Sequence, residues 1–343
     1  MSANPATPTA SAGRPRYAYG GQALMEGVLM RGRDAIAVAL RHPDGRIVTA
    51  TERLDTGMHA SPVAKWPFVR GLVVLYETLV VGTRWLIRSA NVQAQEDDVE
   101  LGKGSIIVML VITFAAAIAA FTLLPLFLSS VATSGVSEGW AQPALEGIIQ
   151  VALFLGYLTL VSRAPDIHRV FQYHGAEHMT IHALEAGDPL TVDAVRKYPT
   201  AHHRCGTEFL VILILLAIFA FSLVGKQEPL VMIASRIVLI PVLAAVGYEI
   251  LKLGAKFRSN PLVRVVMYPG ILVQMITTKR PTDDMIEVAI TSMEEALVAD
   301  GNEIPSGSTD FDRSPLELGK AAEEPESPDS VGAASPGESP PLT

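Results

Sequence analysis

The 343 residues are 49% apolar with a mean hydropathy of +0.33, and the apolar residues gather in long blocks, which excludes an ordinary soluble globular chain. The formal net charge of −8 belongs to one end: residues 300–343 carry ten acidic and two basic side chains, so the remainder sums to zero. A single cysteine, Cys205, excludes an internal disulfide. The basic residues are spread without an aromatic-interleaved patch, which excludes a nucleic-acid surface.

In chain order, residues 1–16 (MSANPATPTASAGRPR) lack the apolar core of a signal peptide and are expected to be disordered. Residues 17–60 are expected to form a small cytoplasmic β element. Within it, AIAVALRHPDGRIVTATERL shows two alternating runs around a Pro-Asp-Gly turn, the pattern of a hairpin. Ahead of the hairpin, Gly20-Gly21-Gln22 spells a tripeptide used by peptide release factors, but three residues carry little weight as a signature. The Gly spacing of the following ALMEGVLMRG suggests a close backbone approach. Gln22 and Glu26 are therefore read as structural or site-lining residues that fold against a histidine cluster further on.

Residues 66–90 place Glu77, Arg84 and Arg88 among apolar side chains, as in an interfacial amphipathic helix, with partial insertion as the alternative. Between Lys103 and Glu138 no residue is charged, and SIIVMLVITFAAAIAAFTLLPLFLSS exceeds the roughly 20 apolar residues a bilayer span needs. GIIQVALFLGYLTLVS, extended by Ala141 to Leu145, makes a second span. FLVILILLAIFAFSLVG and LVMIASRIVLIPVLAAVGY make a second pair. The chain is thus expected to be mainly α, a polytopic membrane protein with four spans in two hairpins, 105–162 and 207–251. Arg236 inside the fourth span is costly in lipid and is expected to face the bundle or a partner acid such as Glu249, with snorkelling as the alternative. Residues 163–206 and 252–299 are read as cytoplasmic, the latter ending in an amphipathic helix, and 300–343 as a disordered acidic tail.

Orientation follows the excess of Lys and Arg in cytoplasmic loops. Residues 14–103 hold twelve, 163–204 five and 252–280 six, whereas 130–146 hold none and 225–229 only Lys226. Both termini and the central segment are therefore expected on the cytoplasmic side of a bacterial inner membrane.

That central segment, FQYHGAEHMTIHALEAG, carries the chemistry. His174 and His178 are four apart, so on a helix they share a face and can offer two nitrogens to one ion. His202 and Cys205 in HHRCGTEF, just before the third span, can add a third ligand and leave an open position. Glu177 is then placed to act as general base. His-x-x-Glu-His is also a reversed metalloprotease string, too short to assign a peptidase. Glu185 lies about 10 Å along the helix from His178, too far for the same ion unless the helix bends. His182 or His203 alone reads more simply as a solvated histidine, and Cys205 as easily as a buried thiol.

Four stretches, YGGQALMEGVLMRG, FQYHGAEHMTIHALEAGDPLTVDAVRK, HHRCGTEFL and YPGILVQMITTKRPTDDMIEVAI, resemble the YqhQ-like bacterial membrane proteins of unknown function, over roughly residues 17–297. The resemblance implies a metal-dependent enzyme and aligns His174, Glu177, His178, Glu185, His202, Arg204 and Cys205 with the family's polar motif. Two positions depart: Met179 stands where Lys is usual, and His203 where Pro is usual, which makes His203 a spare ligand candidate.

Two functions compete. One is a hydrolase with a divalent ion, zinc by ligand type, held by His174, His178 and His202 or Cys205, acting on a lipid-linked or membrane-delivered substrate. The other is a scaffold or accessory subunit with an unknown protein partner, in which His174, His178, His202 and Cys205 together close a structural site among membrane lipids. Ion transport is the weaker third, since the spans offer no acid relay.

Overall fold

A computed structural model describes residues 19–54, 66–94, 103–134, 141–203, 205–224, 228–257 and 259–316. The expected disorder of residues 1–16, and Arg204, lie outside these.

Four antiparallel strands, β1 (Gly20–Leu24), β2 (Gly27–Arg31), β3 (Ala35–Arg41) and β4 (Ile47–Arg53), form a meander in sequence order. The Pro-Asp-Gly turn joins β3 to β4 as its composition predicts, with Gly45 at φ +91°. The preceding hairpin, β1 to β2, turns on Met25 and Glu26 and pairs Leu24 with Gly27. Strand β3 is buried on both faces. Ala37 and Ala39 face one layer and Ile36, Val38 and Leu40 the other, which is why AIAVAL reads as a nearly continuous apolar run.

Helix α1 (Val69–Ala94) covers the second face with Trp85 and Val92 against Leu24, Leu29, Ile36 and Leu40. Its charges pair with the sheet: Glu77 with Arg31, and Arg84 and Arg88 with Glu52. The start of the chain's path into α1 meets a span instead, where Arg70 and the Phe68 amide bind Glu249.

Helices α2 (Lys103–Ile118) and α3 (Leu124–Ala132), joined by a π-helical turn at Ala119–Leu123, make one apolar stretch that packs on α4 (Ala141–Val161). Helices α7 (Gly206–Val224) and α8 (Pro229–Lys256) make the second pair. All four are long and apolar enough to cross a membrane, so the chain is a mainly α, polytopic membrane protein with a small sheet. The expected partner of Arg236 is corrected. Arg236 on α8 pairs with Glu146 on α4 at 2.7 Å and stacks over Phe221, whereas Glu249 sits three turns further along α8 and is taken by Arg70.

Between the hairpins runs α5 (Pro165–Ala186), opened by Pro165 and ended by Gly187 in the left-handed conformation at φ +80°. A short α6 (Val192–Val195) follows. The segment 252–299, read as uniformly outside the spans, contains the apolar helix α9 (Pro261–Thr277), which crosses the first turn of α7 where Gly270 meets Glu208. Helix α10 (Asp283–Ala299) lies between α5 and the sheet. It is buried nearly all round rather than on one face, because Ser292 reaches the Val28 and Ala37 carbonyls at 3.0 and 3.1 Å over the small alanines.

The boundary of the expected tail also moves. Residues 300–316 pack on the sheet: Asp300 accepts from the Arg33 and Asp34 amides and the Tyr19 hydroxyl, and β5 (Arg313–Pro315) pairs parallel to β4. Arg313 anchors that strand to Glu294 and Glu295. The rest of the tail expectation, 317–343, lies outside the described residues.

Candidate metal centre

His174, His178 and His182 recur every fourth residue, so they form one stripe along α5. Beside the stripe runs the irregular segment 198–203, and beyond it the C-terminal end of α9. Backbone outside helices and strands leaves carbonyls that need donors, and the imidazoles supply them. His174 Nδ1 lies 2.9 Å from the Thr277 oxygen, His178 Nδ1 2.6 Å from that of Thr200, and His182 Nε2 2.9 Å from that of Ala201. A carbonyl only accepts, so each of these nitrogens carries the proton. The neutral ring then keeps its lone pair on the other nitrogen, Nε2 for His174 and His178.

Those lone pairs face the cysteine. Cys205 lies just ahead of α7, where its carbonyl accepts from the Glu208 amide and its sulfur from the Thr207 amide at 3.3 Å. The sulfur is 3.2 Å from His174 Nε2. Burial alone would raise the thiol, but its contact with His178 and the hydrogen bond from Thr207 outweigh it and hold the thiol below its usual range. Burial also pushes His178, 1% exposed, below the usual histidine range, so it stays neutral. Two nitrogen lone pairs and one sulfur thus share at most one proton. The ligand atoms of His174, His178 and Cys205 lie within 4.8 Å of one another. Tetrahedral zinc with bonds of about 2.0–2.3 Å separates its ligands by roughly 3.3–3.8 Å, so small shifts suffice.

His202 does not join this trio, which corrects the expected four-ligand set. It groups with His182 and Glu185, again with ligand atoms within 4.8 Å, and its ring centroid is 5.7 Å from that of His178. Residues 198–203 run beside α5, and His202 and Cys205 meet different turns of that helix. Glu185 takes part through this second group, consistent with its distance from His178. His182 is the ligand candidate that the sequence reading passed over; its i+4 spacing from His178 was the available signal. Gln274 of α9, equally unforeseen, fixes His202 by accepting from its amide at 2.8 Å and donating to its carbonyl at 3.0 Å.

Glu177 is on the adjacent face, 4% exposed, with Oε2 lacking a partner among the described residues. The Gly21 amide donates to its carboxylate, and a Cβ at Gly21 would stand 3.0 Å from it. Burial pushes its carboxyl up to about 8, opposed by His174 and reinforced by Cys205. The β1 strand thus does approach the cluster, but through Gly21. Alternation turns Gln22 to the opposite face, where its amide oxygen abuts Gly82 of α1, so Gln22 does not line the histidines. Glu26, at φ +52°, binds Arg169 and the Tyr173 hydroxyl at the first turns of α5 and so positions that helix. His203 is exposed and borders a separate pocket of about 100 Å³ with Glu208, Arg264 and Tyr268. Met179 is fully buried in the core, so that position serves packing here.

A family model described as Protein of unknown function (DUF1385) matches residues 66–299. The Uncharacterized protein YqhQ of Bacillus subtilis (strain 168) is 35% identical over 306 residues, which cover 84% of this chain and 96% of that protein. No solved structure matches significantly. Neither description names a metal or a reaction, so the metal-dependent activity that the resemblance implied rests on the site's geometry alone.

Proposed function

The chain belongs to the family described as Protein of unknown function (DUF1385), and from that premise and the site's geometry we propose that it is a membrane-bound, metal-dependent hydrolase. The reading is carried by one observation: His174 Nε2, His178 Nε2 and the Cys205 sulfur converge with too few protons to satisfy one another. Two nitrogens and a thiolate suit zinc, and three protein ligands leave a position open. A bound zinc-type ion supplies Lewis acidity and lowers the pKa of water at that position. The chain's own part is to fix the tautomers through Thr277 and Thr200, to lower the pKa of the cysteine thiol, and to keep Glu177 beside the trio with one oxygen that no described residue engages, available for proton transfer.

The excess of Lys and Arg in the flanking segments supports a reading with the sheet, α5 and both termini on the cytoplasmic side of a bacterial inner membrane. The trio then lies at the inner leaflet, since Cys205 immediately precedes α7, and a substrate delivered by the bilayer reaches it without a soluble carrier. α1, anchored to α8 at Arg70 and to the sheet at its other end, lies along that surface.

Burial of His178 and Cys205 favours a second reading, a structural ion that ties α5 to α7 in a scaffold or accessory subunit. Glu177→Gln separates the two. In the hydrolase it retains the metal and abolishes turnover of membrane-delivered ester, amide and phosphoester probes. In the scaffold no wild-type turnover exists for it to abolish, and His174→Ala unfolds the protein. Wild-type protein that takes up no zinc removes both.

A further inference from the structure

The second trio shares no residue with the first. We propose that His182, Glu185 and His202 hold a second divalent cation, so that α5 carries a two-ion centre; this rests on the reading of His174, His178 and Cys205 as a metal site and extends it.

Three observations carry it. The ligand atoms of this trio also lie within 4.8 Å of one another. His202 Nε2 and Glu185 Oε2 are 3.5 Å apart, longer than the roughly 2.7–3.2 Å of a good N–H···O bond and close to the separation of two ligands on one ion. Both histidines are held by other groups in the way ligands are: Gln274 clamps the His202 backbone on both sides, while His182 donates to Ala201 and stacks on Tyr198, ring planes 10° apart. His182 stands with this pair, its ring centroid 4.6 Å from that of His202.

The two trios adjoin. Ring centroids step from His174 to His178 by 4.5 Å, from His178 to His202 by 5.7 Å and from His202 to His182 by 4.6 Å. Their chemistry differs. The first offers two nitrogens and a soft sulfur, the second two nitrogens and a hard oxygen, so the second accepts manganese or iron(II) as well as zinc.

The test is a count of ions on the full chain in detergent, stripped with chelator, reloaded with zinc and analysed by mass spectrometry and calorimetry. Wild type is expected to bind two equivalents. Glu185→Gln, isosteric and half-exposed and therefore safe for folding, should bind one, as should His182→Ala; Cys205→Ser should lose the other equivalent. One equivalent in wild type, unchanged by Glu185→Gln and His182→Ala, overturns the second site and leaves the first. A single wild-type equivalent that every one of these variants abolishes means one shared site and overturns it too. No zinc at all ends both readings.

Discussion

His174 Nε2 stands 3.2 Å from the sulfur of Cys205, although 31 residues separate them, because the Thr277 carbonyl behind the ring fixes which nitrogen faces the thiol. The pairing makes the sulfur's protonation state observable. Loading the protein with cobalt(II) should produce a near-ultraviolet thiolate charge-transfer band, since the thiolate is the ligand form of cysteine. Cys205→Ser should lack that band, and its persistence there would detach the cysteine from the ion.

Gln274 makes two hydrogen bonds to one residue's backbone, both buried. Gln274→Leu leaves the His202 amide and carbonyl unpaired at about 1–3 kcal/mol for such a group. Thermal unfolding should fall accordingly, and calorimetry should show weaker binding of the equivalent assigned to His182, Glu185 and His202 while the other is little changed.

At Gly21 a Cβ would meet the Leu29 carbonyl at 2.4 Å and the Glu177 carboxyl at 3.0 Å. Gly21→Ala should destabilise by about 1–3 kcal/mol, because the added carbon has no room between the two. Gln22→Ala should be milder, under about 1 kcal/mol. Denaturant midpoints compare the two; the opposite order would mean that the glutamine, not the glycine, is what this tripeptide serves.

Glu26 and Arg169 pair across the β1–β2 turn and the start of α5, with the arginine side chain 47% exposed. Solvent there limits the pair to about 0.5–1 kcal/mol. A double-mutant cycle of Glu26→Ala with Arg169→Ala should return a coupling of that size, and a coupling of zero would mean that Glu26 fixes the turn without positioning α5.

Arg236 and Glu146 face each other between two spans with side chains only 13% and 10% exposed. Arg236→Ala strands an acid and should destabilise by about 3–5 kcal/mol, whereas Arg236→Met combined with Glu146→Met should come back close to wild type. Unfolding in mixed micelles measures both.

The elements were largely legible. Span positions follow from uninterrupted apolar length, and the β3–β4 hairpin from its turn residues, since both depend on neighbours in sequence. Pro269 and Gly270 argue locally against a helix around Tyr268, yet α9 runs through them, and Gly270 lets it close on Glu208. The tail boundary failed for a similar reason. Asp300 and Arg313 look like solvated charges in sequence and are held by the Arg33 and Asp34 amides and by Glu294.

By itself the sequence determined a four-span membrane chain with a histidine stripe, because hydropathy and helical period are properties of contiguous residues. It could not determine that Cys205 joins His174 and His178 while His202 joins His182 and Glu185. That partition depends on how segment 198–203 lies along α5, and the path is set by Gln274 and by carbonyls seeking ring protons, contacts that only the folded chain brings together.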